Sequence, residues 1–177
     1  DFCLSRGLGD VYKRQNKDSL LSSFSQLLSL IPGKLGCYLR SGFYRFVMTS
    51  CAPNVLIGFA TLFSQQDTEI GESVYIGPQC NIGKCAIGKN TLLGSGVHIM
   101  SGKGQHNFSD PEKPIKDQGG VFTKVSVGEN CWLGNGALIM ANVGKGSIVA
   151  AGSVVVDDVP EGVIVGGNPA KILRALR

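Results

Sequence analysis

Apolar positions along the chain follow two different periods. Between residues 19 and 50, Leu20, Leu21, Phe24, Leu27, Leu28 and Ile31 recur at spacings of three and four, the signature of a helix, until Pro32-Gly33 breaks it. A second apolar stretch follows with Leu35, Tyr38, Leu39, Phe43, Phe46 and Val47, and it carries Lys34, Arg40 and Arg45. Two readings fit this region. One is a helical cap over an end of the structure that follows and over its neighbouring subunit; the other is a basic amphipathic surface making weak contact with a membrane through residues 19–50. The pattern alone does not separate them.

From Ile57 onward the period changes to six. An aliphatic residue followed by glycine recurs at Ile57-Gly58, Ile70-Gly71, Ile76-Gly77, Ile82-Gly83, Ile87-Gly88, Leu93-Gly94, Val127-Gly128, Leu133-Gly134 and Val143-Gly144. Six is neither a helical nor a simple strand period. It is the period of a β-helix, in which each repeat supplies a short strand and a turn and stacked coils bury a common core. The residue two before each aliphatic must then also point inward and be small. Those positions read Thr61, Thr68, Val74, Cys80, Cys85, Thr91, Val97, Cys131, Ala137, Ser147 and Ser153. The three cysteines among them are therefore expected to be core residues rather than nucleophiles or metal ligands. The register slips from Phe63 to Ile70, from Ile82 to Ile87 and from Ile139 to Val143, which places bulges or tightened turns at corners. Between Ile99 and Val125 the repeat stops, and Gly, Pro and charged residues replace it over residues 100–124. An excursion of that length from a rigid scaffold is more often functional than idle.

Composition narrows the function. The 177 residues, 43% hydrophobic and 17% charged, suit one globular domain, and 25 glycines with only 7 prolines fit a regular turn repeat rather than collagen or disorder. A net charge of +4, spread without a Lys/Arg run, argues against nucleic acid as a partner. Six cysteines without CxxC pairs fit a reducing, cytoplasmic location. No apolar run reaches the roughly 18 residues of a membrane span. Residues 5–15 resemble translated library-adapter DNA, so residues 1–15 are expected to be an artefact and the true start, which no Met before Asn16 marks, to be lost. The expected organisation is a helical cap over 16–52 and a β-helix over 53–177 with the loop 100–124.

Within about residues 53–174, the runs Val127-Gly-Glu-Asn-Cys-Trp-Leu-Gly-Asn-Gly-Ala137, Ile148-Val-Ala-Ala-Gly-Ser-Val-Val155 and Asp158-Val-Pro-Glu-Gly-Val-Ile-Val-Gly-Gly-Asn-Pro-Ala-Lys171 closely resemble the hexapeptide-repeat acetyltransferases, among them galactoside, maltose, xenobiotic and surface-polysaccharide enzymes. The resemblance implies an all-β fold, a left-handed parallel β-helix with a short N-terminal helical region, an excursion loop and a C-terminal tail. It also implies a homotrimer whose active sites lie between subunits, with acetyl-CoA in the groove. In such enzymes the loop carries the catalytic His followed by an acidic residue and Pro, which here reads His106-Asn-Phe-Ser-Asp-Pro111, so His106 takes the base role. Two departures, a short turn after Ile139 and Ala150 where the family usually has Gly, bear on the groove and not on a catalytic group.

An acyl transfer from a thioester needs a base for the attacking hydroxyl or amine, and a His of ordinary pKa near 6.5 accepts a proton at neutral pH. Direct attack is favoured, because no Ser or Cys stands beside a base. Asp110 is a candidate to orient the imidazole or simply a turn former ahead of Pro111. His98 precedes inward Ile99 and should face out of the coil as a surface or subunit-contact residue. Asn81 is a candidate acceptor contact. Ala137, Ala151 and Gly152 are candidate positions for the pantetheine arm, Lys171 for a phosphate or the adenine end, and Trp132 for the groove edge or a subunit contact. No metal is expected. A γ-class carbonic anhydrase, which shares the fold, would need three His ligands, and the chain has two. A serine O-acetyltransferase and a non-catalytic trimeric scaffold stay as rivals. The acceptor is expected to be a sugar or saccharide precursor, with polysaccharide biosynthesis the implied setting.

Overall fold

A computed structural model describes residues 17–176; the segment read as an artefact lies outside the described residues. Two helices, over residues 17–29 and Gly33–Val47, precede a column of short strands arranged in three sheets, parallel throughout except for the C-terminal hairpin of Val163–Gly167 and Ala170–Ala175. The first face stacks Ser50–Cys51, Glu69–Ile70, Cys85–Ile87 and Val125–Val127, extended by single bridges at Val143 and Val159. The second stacks Leu56–Ile57, Tyr75–Ile76, Leu92–Leu93, Trp132–Leu133, Ile148–Val149 and Val163–Gly167. The third stacks Leu62–Phe63, Asn81–Ile82, His98–Ile99, Leu138–Ile139 and Val154–Val155. This is the β-helix that the repeat predicted, with the left hand that the resemblance implied.

The six-residue repeat is the circumference of one side plus one corner. Ile57, Ile76, Leu93, Leu133, Val149 and Val165 form one buried column, and Phe63, Ile82, Ile99, Ile139 and Val155 another, six residues further along the chain. At the two regular corners one residue, three before each inward aliphatic other than Ile57, takes φ between 54° and 68°: Ser73, Asn90, Asn130, Gly146 and Gly162 ahead of the second face, Ala60, Gln79, Gly96, Gly136 and Gly152 ahead of the third. Every slip of register falls at the remaining corner, from the third face to the first, and the 100–124 excursion leaves from the same edge.

All eleven small positions predicted to face inward are buried. Their polar atoms are used. Thr61 donates to the Gly77 carbonyl at 2.8 Å, Thr91 to Gly128 at 2.9 Å and Ser147 to Pro160 at 2.7 Å, each bond linking a coil to the next. Burial pushes the Cys80 and Cys131 thiols up, and that of Cys85 up to about 12, so these cysteines stay protonated and unreactive at neutral pH.

The helices close the first coil by answering its open edge. Arg40 is fully buried (0% exposed); its Nε donates to the Ile57 carbonyl at 3.0 Å, and one terminal nitrogen donates to Leu28 at 3.0 Å and Ile31 at 2.8 Å. Ser41 donates to Val55 at 2.8 Å, and Ser25 Oγ accepts the Phe63 N–H and the Tyr44 hydroxyl, both at 2.8 Å. Ile57 and Val55 belong to the first coil, so these side chains replace the coil that would lie beneath it. Arg40 also sits where the first helix ends, and its charge opposes the negative end of that helix dipole. It is a bolt inside the cap rather than part of a basic surface.

Arg40→Met nearly keeps the volume but leaves the Ile57 and Ile31 carbonyls without a donor. It should lower stability by at least about 2 kcal/mol, read as a shift in the urea midpoint, and an unchanged midpoint would mean that the cap is held by packing alone.

Candidate active site

Two structural units meet at the third face. The outward residues of its strands form the register Leu62, Asn81, His98, Leu138, Val154. Over it folds the base of the excursion, which leaves at Met100 and returns at Lys124. The excursion is an internally bonded ribbon. Asn107 N–H donates to Gly119 at 2.8 Å, Val121 to Gly104 at 2.7 Å and Thr123 to Ser101 at 3.0 Å. The outer bend is tied by Gln118, whose amide donates to the Asp110 carbonyl at 2.8 Å and to Lys113 at 2.7 Å, while its oxygen accepts the Asp110 N–H at 3.1 Å. At Gly120 a Cβ would lie 2.0 Å from the Gln105 carbonyl oxygen, so only glycine lets the two limbs close.

Where the ribbon rejoins the coil, Lys124 binds both Asp67 at 2.5 Å and Glu69 at 2.7 Å, and Lys84 adds a contact to Asp67 at 3.1 Å. The hydrogen bond from Lys124, with a smaller contribution from Lys84, holds the Asp67 carboxyl below the usual carboxylate range against the opposing effect of partial burial. The hydrogen bonds to Asp67 and Glu69 in turn push Lys124 up. On the other limb, Ser101 Oγ accepts the Lys84 N–H at 2.9 Å.

Between ribbon and coil lies a cavity of about 220 Å³ lined by Asn81, His98, Met100, Gln105, Phe122 and Leu138. Asn81, the candidate acceptor contact, lines this cavity, and His98, turned out of the coil as the alternation required, lines it too. His98 was expected as a surface or subunit-contact residue; its place in the cavity depends on the return of Phe122 across the third face, which no local pattern encodes.

The other predicted residues scatter. His106 is exposed on the ribbon, one residue beyond the cavity-lining Gln105, and its imidazole has no hydrogen-bond partner in this chain among the described residues. Asp110 does not meet it: its carboxylate accepts the Glu112 N–H at 3.0 Å, the turn-forming role, and no bond or ion pair joins it to His106. Ala137 corrects an expectation. It is fully buried, its N–H bonded to Gly134 and its carbonyl to the His98 N–H, so it belongs to the core and cannot border an external groove. Ala151 and Gly152 lie on an exposed turn, and space beside the Gly152 backbone is open, with no atom within 4 Å of a Cβ built there. Lys171 is exposed on the C-terminal hairpin, opposite Gly166. Trp132, 53% exposed, stands on the second face in register with Leu92 and Ile148, beside a larger cleft of about 720 Å³ that also takes in Lys145 and Glu161.

A coil in which one side and its corner make a six-residue repeat is the architecture of the hexapeptide-repeat class. The family pattern described as bacterial transferase hexapeptide (six repeats) matches residues 67–101. The yeast protein YJL218W of Saccharomyces cerevisiae, whose name places it among acetyltransferases, is 31% identical over 144 residues, covering 77% of this chain and 71% of its own. The galactoside O-acetyltransferase of Lactococcus lactis is 30% identical over 141 residues, covering 65% of this chain and 66% of that enzyme. Among solved structures, a maltose O-acetyltransferase from Clostridium difficile superposes with a TM-score of 0.78 at 20% identity, over 94% of this chain and 88% of that one. A galactoside acetyltransferase in complex with coenzyme A gives 0.74 at 21%, over 94% and 82%. The chain belongs to the hexapeptide-repeat acetyltransferases, enzymes of the acyltransferase class.

The charge anchor at Lys124 makes a pH prediction. Because the folded Asp67 carboxyl lies below its unfolded value, its contribution is present above the unfolded pKa of about 3.9 and is lost as pH falls through the folded value. Amide protection factors in the ribbon, with the intrinsic pH dependence of exchange divided out, should fall below about pH 4, and Asp67→Asn should give the same fall at neutral pH. Equal exchange in variant and parent would remove the anchor from the account.

Proposed function

We propose that the protein moves an acetyl group from acetyl-CoA to a hydroxyl, or an amine, of a sugar or saccharide precursor by direct attack, with His106 as general base. The observation that carries this reading is the bonded ribbon that carries His106 one residue along the chain from Gln105, which lines a cavity with Asn81 and His98, in a chain of the acetyltransferase family. Amide and imidazole groups of this kind suit hydroxyl recognition, and a cavity of about 220 Å³ is smaller than the roughly 300–1,000 Å³ of drug-sized ligand sites, which favours a single sugar ring. In the step itself the acceptor oxygen attacks the thioester carbonyl while its proton passes to the imidazole. The tetrahedral oxyanion then collapses, the carbon–sulfur bond breaks, and the imidazolium returns the proton to the departing thiolate. A well-placed base contributes roughly 10² to 10⁴ in rate.

The resemblance to a coenzyme A complex supports acetyl-CoA as donor. The open turn at Ala151-Gly152 can take a pantetheine arm against its backbone, and exposed Lys171 can meet a phosphate. A homotrimer is the proposed assembly, with active sites between subunits and a cytoplasmic setting. Leu56, Tyr75, Leu92 and Trp132 form an exposed apolar column up the second face, which such an interface would cover. A second assignment of the base rests on one observation: of the two histidines, it is His98 that lines the cavity.

Free-thiol release over a panel of sugars and aminosugars tests both assignments. His106→Ala should cut acceptor-dependent kcat/KM at least about a hundredfold, while His98→Ala should act chiefly on the acceptor KM. The reverse pattern would move the base to His98. Full activity in both variants would remove histidine from the mechanism.

A further inference from the structure

The two N-terminal helices are amphipathic in the reverse of the usual sense. The second, Gly33–Val47, buries Gly36, Arg40 and Tyr44 and turns Leu35, Tyr38, Leu39 and Phe46 to solvent, with exposures of 66%, 73%, 43% and 90%. With Gly42 these residues recur at spacings of three and four, a single stripe about 16 Å long on the outer side. The first helix and the turn after it do the same, burying Ser25 and Ser29 while Leu20, Phe24, Leu27 and Leu30 are each half exposed or more. The buried Arg40 bonds fix this orientation, since rolling either helix to hide its leucines would strip donors from the Ile57, Leu28 and Ile31 carbonyls.

Charge identifies what covers the stripe. Lys34 and Arg45 are exposed at its border and Lys17 on the first helix, and the sole carboxylate between residues 17 and 49, Asp18, is half-buried and accepts the Gln66 N–H at 2.8 Å. A second copy meeting the stripe face to face would set cations against cations, with no exposed carboxylate on either helix to answer them. An anionic lipid surface supplies both the apolar depth and the missing negative charge. We infer that the outer face of this helical cap docks peripherally on an anionic bilayer, with Leu35, Leu39 and Phe46 entering the headgroup boundary and Lys34 and Arg45 meeting lipid phosphates. No helix among the described residues is long and apolar enough to cross a membrane, so the contact is interfacial. Apolar insertion and basic charge are two weak signals that together give reversible attachment.

The test is flotation of the full chain with vesicles of phosphatidylcholine alone or mixed with phosphatidylglycerol. Binding is expected to the mixed vesicles, to fall at least about tenfold without the anionic lipid or in the Lys34→Glu/Arg45→Glu double variant, and to weaken comparably in Phe46→Ser. All three side chains are exposed, so the thermal midpoint should not move; it is measured beside each variant. No flotation with anionic vesicles, or flotation indifferent to the charge reversal, would overturn the inference. So would a change in solution mass for Phe46→Ser by light scattering, which would make the stripe a contact between copies.

Discussion

Everything in this molecule answers to one constraint, that the backbone of each coil must be satisfied by the coil stacked on it. Gly58 N–H donates to Ile76, Gly77 to Leu93, Gly94 to Leu133 and Gly134 to Val149, at 2.8 Å in every case. A ladder of that regularity requires coils of nearly equal circumference, which confines the side chains inside to one aliphatic column per face and small residues at the corners. The buried threonines, serines and cysteines are the result: short enough to fit, and able to bond to a turn carbonyl of the adjoining coil. Two corners are locked to the six-residue step by a left-handed turn residue. The third has none outside the excursion, and it is where the chain changes its spacing and sends out the ribbon.

Placing the site at that third corner reconciles a stiff scaffold with a shaped cavity. The coil side, Asn81 and His98, is held by strand pairing on both flanks, while the ribbon side is positioned by its own hydrogen bonds and by the Lys124 contacts with Asp67 and Glu69. The geometry of the cavity is thus the sum of a rigid wall and an anchored one. Loss of the anchor would change the distance between the walls without disturbing the coil that carries His98.

How much of this was legible in advance follows from what each pattern encodes. The six-residue period and the row of small residues two positions earlier specify inward-facing atoms, so the coil, its core and the structural role of Cys80, Cys85 and Cys131 could be read directly. Ala137 belonged to that same row; assigning it to the groove set a resemblance above the alternation, and the alternation prevailed. Helical periodicity located both helices but not which side faces in, because a spacing of three or four is the same whether the buried stripe is Leu20-Phe24-Leu27 or Leu21-Ser25-Ser29. The ribbon rests on backbone bonds between residues 104–107 and 119–121, which leave no apolar signature, so the meeting of His98 with Gln105 and Phe122 was beyond local reading.

The cap has a consequence for the length of the particle. A column of identical-looking turns has no intrinsic reason to stop, and an uncapped end offers Val55 and Ile57 carbonyls to the next molecule as readily as to its own chain. Arg40 and Ser41 occupy those acceptors from within. By placing donors there on helices that cannot themselves continue the coil, the protein behaves as a terminated polymer, and growth into head-to-tail fibres is blocked at the subunit's own base.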